Sequence, residues 1–591
     1  MTDGENGRKG KILLSVVFFG IFVCVSACDF GTSESQNFAE CRNCHQGLAS
    51  AGIGHDFACE KCHLRPEHRG PVLEDHALVL GNPAGPETFR TVCGKCHARE
   101  VADFQTSLHM TLAGMVNQTR FLLGAQARAY PPVYGAGGAL PLIPPPVDSP
   151  DDPADLADDL LRRRCLRCHV NALVDPDQPP YRGRGCAACH VVYAEDGRYH
   201  GRDASLDREA TGRPARHGLT ADIADAACLV CHRPNYTGAD AHGWFERDYD
   251  NFFQEAILEG LPARERGQFA GHTLSRDLHI QRGLGCRDCH DRADVMGDGM
   301  VRGFALETPR IRCQDCHGGF REQRPDCSLE QIAGSDGGWW LTDQKGLRHR
   351  LPLFTSNTFA HDPEVHADLR CSACHAQWSY QDFGLSLLRK DSPGFRDWTY
   401  LTAQGDPGIS SALQELVQTP DLAPESRDAL SGASSPGIWL KGYRFRRWES
   451  RPLGRDHQGR FTIFRPRHQY RISYVNAAGT ITLDSQIPER GDGLGRGWAF
   501  MPSVPHTTAP EGRSCETCHM NPEAAGQGLD LDVPSDASGM QDLGLRRPWP
   551  PVIPPMRLLQ AVEQERLLQP SNRFQKRFFQ VKKAPGLEPD D

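Results

Sequence analysis

Hydrophobic and polar positions divide this chain into a few regular segments and many loops. Residues 12–25 form one apolar run of fourteen residues, shorter than the ~20 residues of a membrane span. Residues 99–123 predict a single helix. Short alternating stretches at 461–464, 470–475 and 480–483 predict strands, and 476–479 resembles a hairpin turn. Hydrophobic residues make up only 39% of the chain, so little aliphatic core is available for 591 residues.

Proline and charge mark the longest linker. Seven prolines between 131 and 150 predict an extended stretch, and six aspartates between 148 and 159 follow or overlap it. Residues 160–164 then end in three arginines, which predicts a short helix with its macrodipole complemented at both ends. We expect the acidic run to be the solvated start of that helix; the alternative is a docking patch for a partner.

Cysteine and histidine carry the strongest pattern in the sequence. Twenty of the 23 cysteines belong to ten Cys-x-x-Cys-His motifs, far more than composition predicts by chance. The cysteines are Cys41, Cys44, Cys59, Cys62, Cys93, Cys96, Cys165, Cys168, Cys186, Cys189, Cys228, Cys231, Cys286, Cys289, Cys313, Cys316, Cys371, Cys374, Cys515 and Cys518. The histidines that follow them are His45, His63, His97, His169, His190, His232, His290, His317, His375 and His519.

This spacing suits covalent haem. Two thiols three residues apart can each form a thioether with one vinyl group, and the next histidine then lies under the iron. Zinc ribbons and redox dithiols also use Cys-x-x-Cys, but neither requires a histidine directly after it ten times. The sequence therefore predicts ten haem c groups with these histidines as proximal iron ligands, and none of the ten motifs ends in lysine.

The motifs also suggest how the chain is divided. The first nine fall into three triads, each a close pair followed by a wider gap, and 376–514 contains no cysteine. We predict a lipoprotein signal peptide (1–27), haems one to three with the Pro-rich linker (28–147), haems four to six (148–262), haems seven to nine (263–375), a β-rich insertion (376–514), and haem ten with a tail (515–591). Within the insertion, 441–471 holds ten basic and two acidic residues, either to pair with haem propionates, which we favour, or to receive an anionic partner.

Histidines outside the motifs are numerous enough to supply a second ligand to every iron. Fifteen of the 25 histidines are left, so bis-histidine ligation needs no methionine. The alternative for each is a surface or propionate-bonding role, and we least favour His200, His272, His349, His457 and His468. The predicted distal ligands are His55, His68, His76, His109, His217, His242, His279, His361, His366 and His506.

The N-terminus predicts export and a lipid anchor. Arg8, Lys9 and Lys11 precede the apolar run, and small residues then lead to Cys28, as in a bacterial lipobox. We expect cleavage before Cys28 and acylation of its thiol and amine; the alternative is an ordinary signal peptide. The protein would then be a membrane-anchored lipoprotein facing the periplasm or the cell surface. A net charge of −9 argues against nucleic-acid binding.

The chain resembles the multihaem c-type cytochrome lipoproteins of metal- and sulfur-respiring bacteria. The resemblance lies in the paired motifs, in the segment 277–299 around Cys286, and in 105–109 and 505–508. It implies short helices and irregular loops wrapped around ten haems, bis-histidine iron, and electron relay to other cytochromes or redox proteins. The alternative is a reductase of a small oxyanion, nitrite or a sulfur compound, at one haem that lacks a distal histidine; a filament subunit is the least favoured option. Oligomeric state and the role of Cys327 are left open by the sequence.

Overall fold

A computed structural model describes the chain from Phe38 to Gln569 with gaps. The described residues are 38–48, 50–64, 79–173, 179, 181–235, 239–242, 276–321, 325–326, 329–335, 337–356, 358–378, 380–401, 404, 406–448, 452–466, 469–494, 500–519, 521–526 and 556–569. The predicted signal peptide, Cys28, His68, His76 and Cys327 lie outside them. Among the described residues, no helix is long and apolar enough to cross a bilayer.

The described α-helices are short, and only three have ten or more residues. In chain order they are Phe38–Cys44, Glu60–His63, Ala98–Thr106, Leu108–Thr111, Ala113–Leu122, Ala157–Leu160, Ala187–His190, Asp225–Asn235, Leu278–Gln281, Arg292–Met296, Cys313–His317, Pro363–His366, Cys371–His375, Pro407–Gln418, Glu516–His519 and Ala561–Leu568. Several consist of little more than one Cys-x-x-Cys-His motif, so the helical turn there is local to the motif.

The single helix expected over 99–123 is wrong, because the chain breaks it twice. Ser107 leaves the helical region and caps the next turn, its side chain accepting a hydrogen bond from the Met110 N–H. Leu112 adopts a left-handed conformation with φ of 47°. Three helices result, and His109 lies on the short middle one, Leu108–Thr111.

Thirteen strands are described, most of them between 380 and 502. They are β1 (Ile332–Ser335), β2 (Gly338–Thr342), β3 (Arg348–Arg350), β4 (Tyr380–Lys390), β5 (Glu425–Arg427), β6 (Ser434–Pro436), β7 (Ile438–Trp448), β8 (Leu453–Arg455), β9 (Phe461–Pro466), β10 (Gln469–Val475), β11 (Ile481–Gln486), β12 (Phe500–Pro502) and β13 (Arg557–Leu558). The three strands expected from alternation are confirmed as β9, β10 and β11, and the 476–479 turn joins the last two. The alternation of residues does not predict the long strands β4 and β7.

The largest sheet has the order β11-β10-β4-β7 and is covered on both faces. β4 runs antiparallel to β7 and parallel to β10, with Leu387 opposite both Lys441 and Ile472. Because side chains alternate along a strand, β7 buries Ile438 and Leu440 against the 407–418 helix. Its Trp439 lies in a separate apolar cluster with Phe121 and the 156–160 segment. This second face places the sheet against the chain that leads into the fourth Cys-x-x-Cys-His motif.

The expectation of a solvated acidic run holds for Asp148, Asp151 and Asp152, which are exposed, but it is wrong at the end of the run. Asp158 pairs with Arg120, and Asp159 is 2% exposed. The Asp159 carboxylate accepts a hydrogen bond from Trp439 Nε1 at 2.5 Å and lies 3.0 Å from Arg389 Nη1. Both of these partners come from the sheet. The sequence could not show the burial because it arises from strands more than 200 residues away.

Candidate functional site: paired histidines at the Cys-x-x-Cys-His motifs

Most of the described motifs close one tight turn. The backbone N–H of the histidine donates to the carbonyl of the first cysteine, at 2.8–3.0 Å, in the motifs of His45, His63, His97, His190, His290 and His519. Such an i→i−4 bond brings positions i, i+3 and i+4 to the same side of the backbone. Both thiols and the imidazole of one motif can therefore reach a single planar group.

The histidines of these motifs meet other histidines in pairs. Among the described residues, no three or more His, Cys, Asp or Glu side chains gather in a group that could hold a bare metal ion. Seven imidazole pairs occur instead, with ring centroids 6.1–6.2 Å apart, and each joins one motif histidine to one histidine from outside the motifs. The pairs are His97–His55, His63–His217, His232–His109, His317–His279, His290–His506, His375–His361 and His519–His366.

The ring separation fits one iron atom between two imidazoles. Two metal–nitrogen bonds of roughly 2 Å, with about 1 Å from each nitrogen to its ring centre, span roughly 6 Å. The interplanar angles range from 26° to 71°, as expected for rings free to rotate about a shared axis. With the two thiols beside each motif histidine, this donor set fits a covalently attached bis-histidine haem.

Hydrogen bonds at Nδ1 turn the other ring nitrogen, Nε2, toward the partner ring. Backbone carbonyls accept from Nδ1 of His63, His317 and His519 in the motifs, at 2.7–3.1 Å, and of His109 and His361 opposite them, at 2.9–3.0 Å. Second ring-nitrogen bonds of this kind orient metal-binding histidines in general. The chain thus holds these imidazoles in a ligating orientation by its own contacts.

Carboxylates take the place of carbonyls at four histidines. Nδ1 of His290 lies 2.5 Å from Asp294, and Nδ1 of its partner His506 lies 3.4 Å from Asp240. His45 and His279 contact Asp203 and Asp277 in the same way, at 2.8 and 2.9 Å. A carboxylate at Nδ1 makes the imidazole a stronger electron-pair donor to a metal. In the pair of the seventh motif both rings contact a carboxylate, so this pair has the most electron-rich ligands among the seven pairs.

Seven of the ten predicted distal histidines therefore lie opposite a motif histidine. The other three are His68 and His76, outside the described residues, and His242, which ends a 3₁₀ turn at Ala239–His242. Three motif histidines are not in the seven pairs: His45, His169 and His190. Among the histidines we least favoured, His200 contacts Asp196 at 2.9 Å and His349 contacts Asp343 at 2.8 Å. His457 packs on Phe304, and His272 and His468 lie outside the described residues.

Consecutive motifs lie beside one another. A hydrogen bond from Cys186 lowers the pKa of Cys93 to about 7, and the two thiols share one apolar cluster. Cys286 N–H donates to Asp225, next to the sixth motif, at 2.9 Å, and Arg513 N–H donates to the Cys374 carbonyl at 3.0 Å. Thiols lie near enough to shift each other's pKa in the order of motifs two, three, five, six, seven, eight, nine and ten, and, besides burial, His45 of the first motif lowers the pKa of His63 in the second; we call this series the line of motifs.

The fourth motif stands beside this line. Its Cys168 carbonyl is 3.5 Å from Cys231 Sγ of the sixth motif, and a thiol hydrogen bond between these residues lowers the pKa of Cys168 to about 6. Its backbone also differs, because His169 N–H donates to Leu166 rather than to Cys165. A π-helical turn, Leu161–Cys165, runs directly into this motif and supplies a physical reason for the change in register.

The His169 ring has an arrangement unlike the paired rings. It is fully buried, and its Nε2 lies 2.8 Å from the Met110 carbonyl oxygen. Its Nδ1 has no hydrogen-bond partner in the part of the chain that the structure describes. Burial lowers the pKa of His169 to about 4, so the ring is neutral at pH 7. In the paired histidines Nε2 faces the partner ring, whereas Nε2 of His169 contacts a backbone carbonyl.

Charged side chains surround the fourth motif. Asp406 Oδ2 lies 3.2 Å from Arg164 Nη1 and 3.1 Å from Arg167 Nε. Gln404 accepts from Arg164 through its carbonyl and from the Lys441 N–H through its side chain, at 2.5 and 2.7 Å. Burial lowers the pKa of Lys441 to about 7, and Arg164 and Arg167 lower it as well. We call Arg164, Arg167, Asp406 and Lys441 the Arg164 cluster. The sequence does not predict that these residues meet beside Cys165; its one relevant feature is the basic stretch that begins at Lys441.

Comparison with known proteins adds no assignment, since no protein family, curated protein or solved structure matches this chain.

Proposed function

We propose that this chain is a decahaem c-type cytochrome that relays electrons between redox partners outside the cytoplasm. The observation that carries the proposal is the set of seven imidazole pairs, each placed at the separation that one iron requires. Ten repeated motifs with two thiols each supply the covalent attachment.

The chain fixes the positions of the thiols and imidazoles that would bind the haem. Thiols beside the motif histidine fix the cofactor on one side, and the opposite imidazole closes the other side. Haem, when bound, supplies reversible one-electron chemistry at iron. Because the Nδ1 bonds orient both rings before and after electron exchange, little ligand movement is needed, and a filled pair leaves no position for a substrate.

The line of motifs supports relay over long distances. Nine of the ten motifs follow one another from the first to the tenth, so electrons could enter near one end and leave near the other. Export, acylation of Cys28 and attachment to a membrane belong to the same proposal, with other cytochromes or redox proteins as partners.

A second candidate function is reduction of a small oxyanion, and one observation favours it. The fourth motif lies beside the line, its imidazole contacts the Met110 carbonyl, and no second histidine ring among the described residues faces it. The chain could thus combine a relay with one reactive haem.

Haem counting tests the main proposal. The intact mass of the full protein should show ten covalent haems, with acyl chains on Cys28 and no residues before it. Replacing both Cys286 and Cys289 with Ala should remove one haem, whereas Cys327→Ala, a cysteine outside the motifs, should remove none. A stable double variant that still carries ten haems would contradict the assignment, as would a wild-type protein without covalent haem.

A further inference from the structure

One buried carboxylate lies between the distal histidines of two neighbouring motifs. Asp277 is 5% exposed and lies two residues before His279, whose ring faces the histidine of the eighth motif. Its Oδ1 accepts from the His279 backbone N–H at 2.8 Å and lies 2.9 Å from Nδ1 of the same residue. Its Oδ2 accepts from the Thr508 N–H at 2.6 Å. Thr508 lies two residues after His506, whose ring faces the histidine of the seventh motif.

Further hydrogen bonds fix the two segments that carry these histidines. The Leu278 N–H donates to the Thr508 carbonyl at 3.0 Å, so the two segments bond to each other in both directions. A third segment contributes Asp240, whose Oδ2 accepts from the His506 N–H at 2.8 Å. Parts of the chain that are far apart in sequence thus form one hydrogen-bonded unit that holds both distal histidines.

The charge of Asp277 acts on both distal imidazoles. Its hydrogen bond raises the pKa of His279 above the usual value. Burial acts to lower the pKa of His506, but the carboxylates of Asp240 and Asp277 leave it raised. A negative charge that favours a protonated ring also favours the more positive, ferric state of an iron bound to that ring.

The contacts of Asp277 require a carboxylate rather than an amide. Two backbone N–H groups donate to its two oxygens, and Nδ1 of a histidine that binds metal through Nε2 carries a hydrogen that also points to Oδ1. Asparagine has one acceptor oxygen, so its NH₂ group would face a donor on one side or the other. Asparagine at this position therefore removes the charge and leaves at least one contact unmade.

We propose that Asp277 is a positioning residue shared by the seventh and eighth haems, which orients the distal histidine of the eighth and anchors the segment that carries the distal histidine of the seventh. Its single charge lowers the reduction potentials of both haems, so two consecutive steps of the relay are set together. This inference rests on the proposed function, because it requires haem at both motifs.

Potentiometric titration of the full, haem-loaded protein counts the haems that respond. At a fixed applied potential, Asp277→Asn should lower the ferric-to-ferrous ratio about tenfold at one haem, which loses a hydrogen bond to a charged group. The ratio at a second haem should fall about threefold, because that haem loses only the more distant charge. The other haems should not change. A response at one haem alone, or at none, would overturn the inference.

Asp203→Asn is the matched control. Asp203 is also fully buried and lies 2.8 Å from Nδ1 of His45 in the first motif. It forms no hydrogen bond or ion pair with a second histidine among the described residues. Its neutralisation should therefore change the ratio at one haem only. Two responding haems in this variant as well would show that the response is not specific to Asp277 and would overturn the inference.

A second variant covers the case in which the first assembles poorly. Asp277→Glu keeps the charge, so the ferric-to-ferrous ratios should stay within about twofold of the wild type. Its longer side chain shifts both contacts, so the electron paramagnetic resonance signals of two ferric haems, which depend on the orientation of the axial imidazoles, should change. A changed signal at one haem only, or at none, would overturn the inference.

The haem count separates the two levels of failure. Ten covalent haems without the two-haem response would refute the shared role of Asp277 and leave the relay intact. Absence of covalent haem from the wild-type protein would refute the proposed function itself.

Discussion

Asp294 should set a low potential at the seventh haem, and replacing it with Asn should raise that potential. The Asp294 side chain is 6% exposed and its Oδ2 lies 2.5 Å from Nδ1 of His290. Burial by itself raises the pKa of Asp294, yet hydrogen bonds from His290 and Thr308 leave it below the usual value, so the group is a carboxylate at pH 7. Asn keeps the shape and an acceptor for Nδ1 but removes the charge.

The size of the effect follows from Coulomb's law. The short contact, the width of the imidazole and a metal–nitrogen bond of roughly 2 Å put the carboxylate about 6 Å from an iron at Nε2. At an effective dielectric constant of about 20, one unit charge at that distance contributes about 2.8 kcal/mol. For a one-electron couple this equals roughly 120 mV, and the removed negative charge had favoured ferric iron.

Potentiometric titration of the full protein measures the shift. One of the ten haems should move upward by roughly 100 mV in Asp294→Asn, and the others should stay in place. Asp298→Asn is the control, because Asp298 lies four residues away on the same segment, is 30% exposed and pairs with Arg302. The reasoning fails if Asp294→Asn moves no haem, or if Asp298→Asn produces the same shift.

Three further changes test other contacts. His279→Met should raise the potential of one haem, since a thioether favours ferrous iron, whereas His200→Met, at an exposed histidine, should not; an unchanged titration would refute His279 as a ligand. Asp159→Ala removes the carboxylate that pairs with the buried Arg163, whereas Arg389 keeps its second partner Asp391, and it should cost about 3–5 kcal/mol in unfolding free energy by calorimetry. Asp151→Ala, at an exposed site, should cost little; equal melting temperatures would contradict this account. Arg557 and Arg455 depress the pKa of Glu563 to about 2. The ionised carboxylate therefore stabilises the folded state by about 1–2 kcal/mol after solvent screening, and this stabilisation is present above pH 4.5 and lost as the pH falls toward 2. The protection factors of amides in the 561–568 helix, which correct the exchange rates for their intrinsic pH dependence, should therefore fall in acid for the wild type. Glu563→Gln should show reduced protection already at pH 7; protection that is high in both would refute this account.

The sequence by itself determined the features that depend on neighbours in the chain. A Cys-x-x-Cys-His motif places its thiols and imidazole within one helical turn, so the attachment chemistry could be inferred without a fold. Strands β9, β10 and β11 followed from alternation for the same reason. The candidate distal histidines could be named as a set, because their number and spacing are visible in the chain.

The tertiary structure alone decided which parts meet. His506 faces His290, and His217 faces His63 rather than the nearer sixth motif, because pairing depends on how distant segments fold back. Asp159, expected in solvent, is buried because β4 and β7 bring Arg389 and Trp439 onto it. The different backbone and ring contacts of His169 in the fourth motif have a similar origin. The Cys-x-x-Cys-His pattern of this motif is the same as in the other nine, and the π-helical turn before it and the Met110 carbonyl beside it distinguish His169. Local spacing specifies what each motif can attach, whereas long-range packing specifies what lies opposite it.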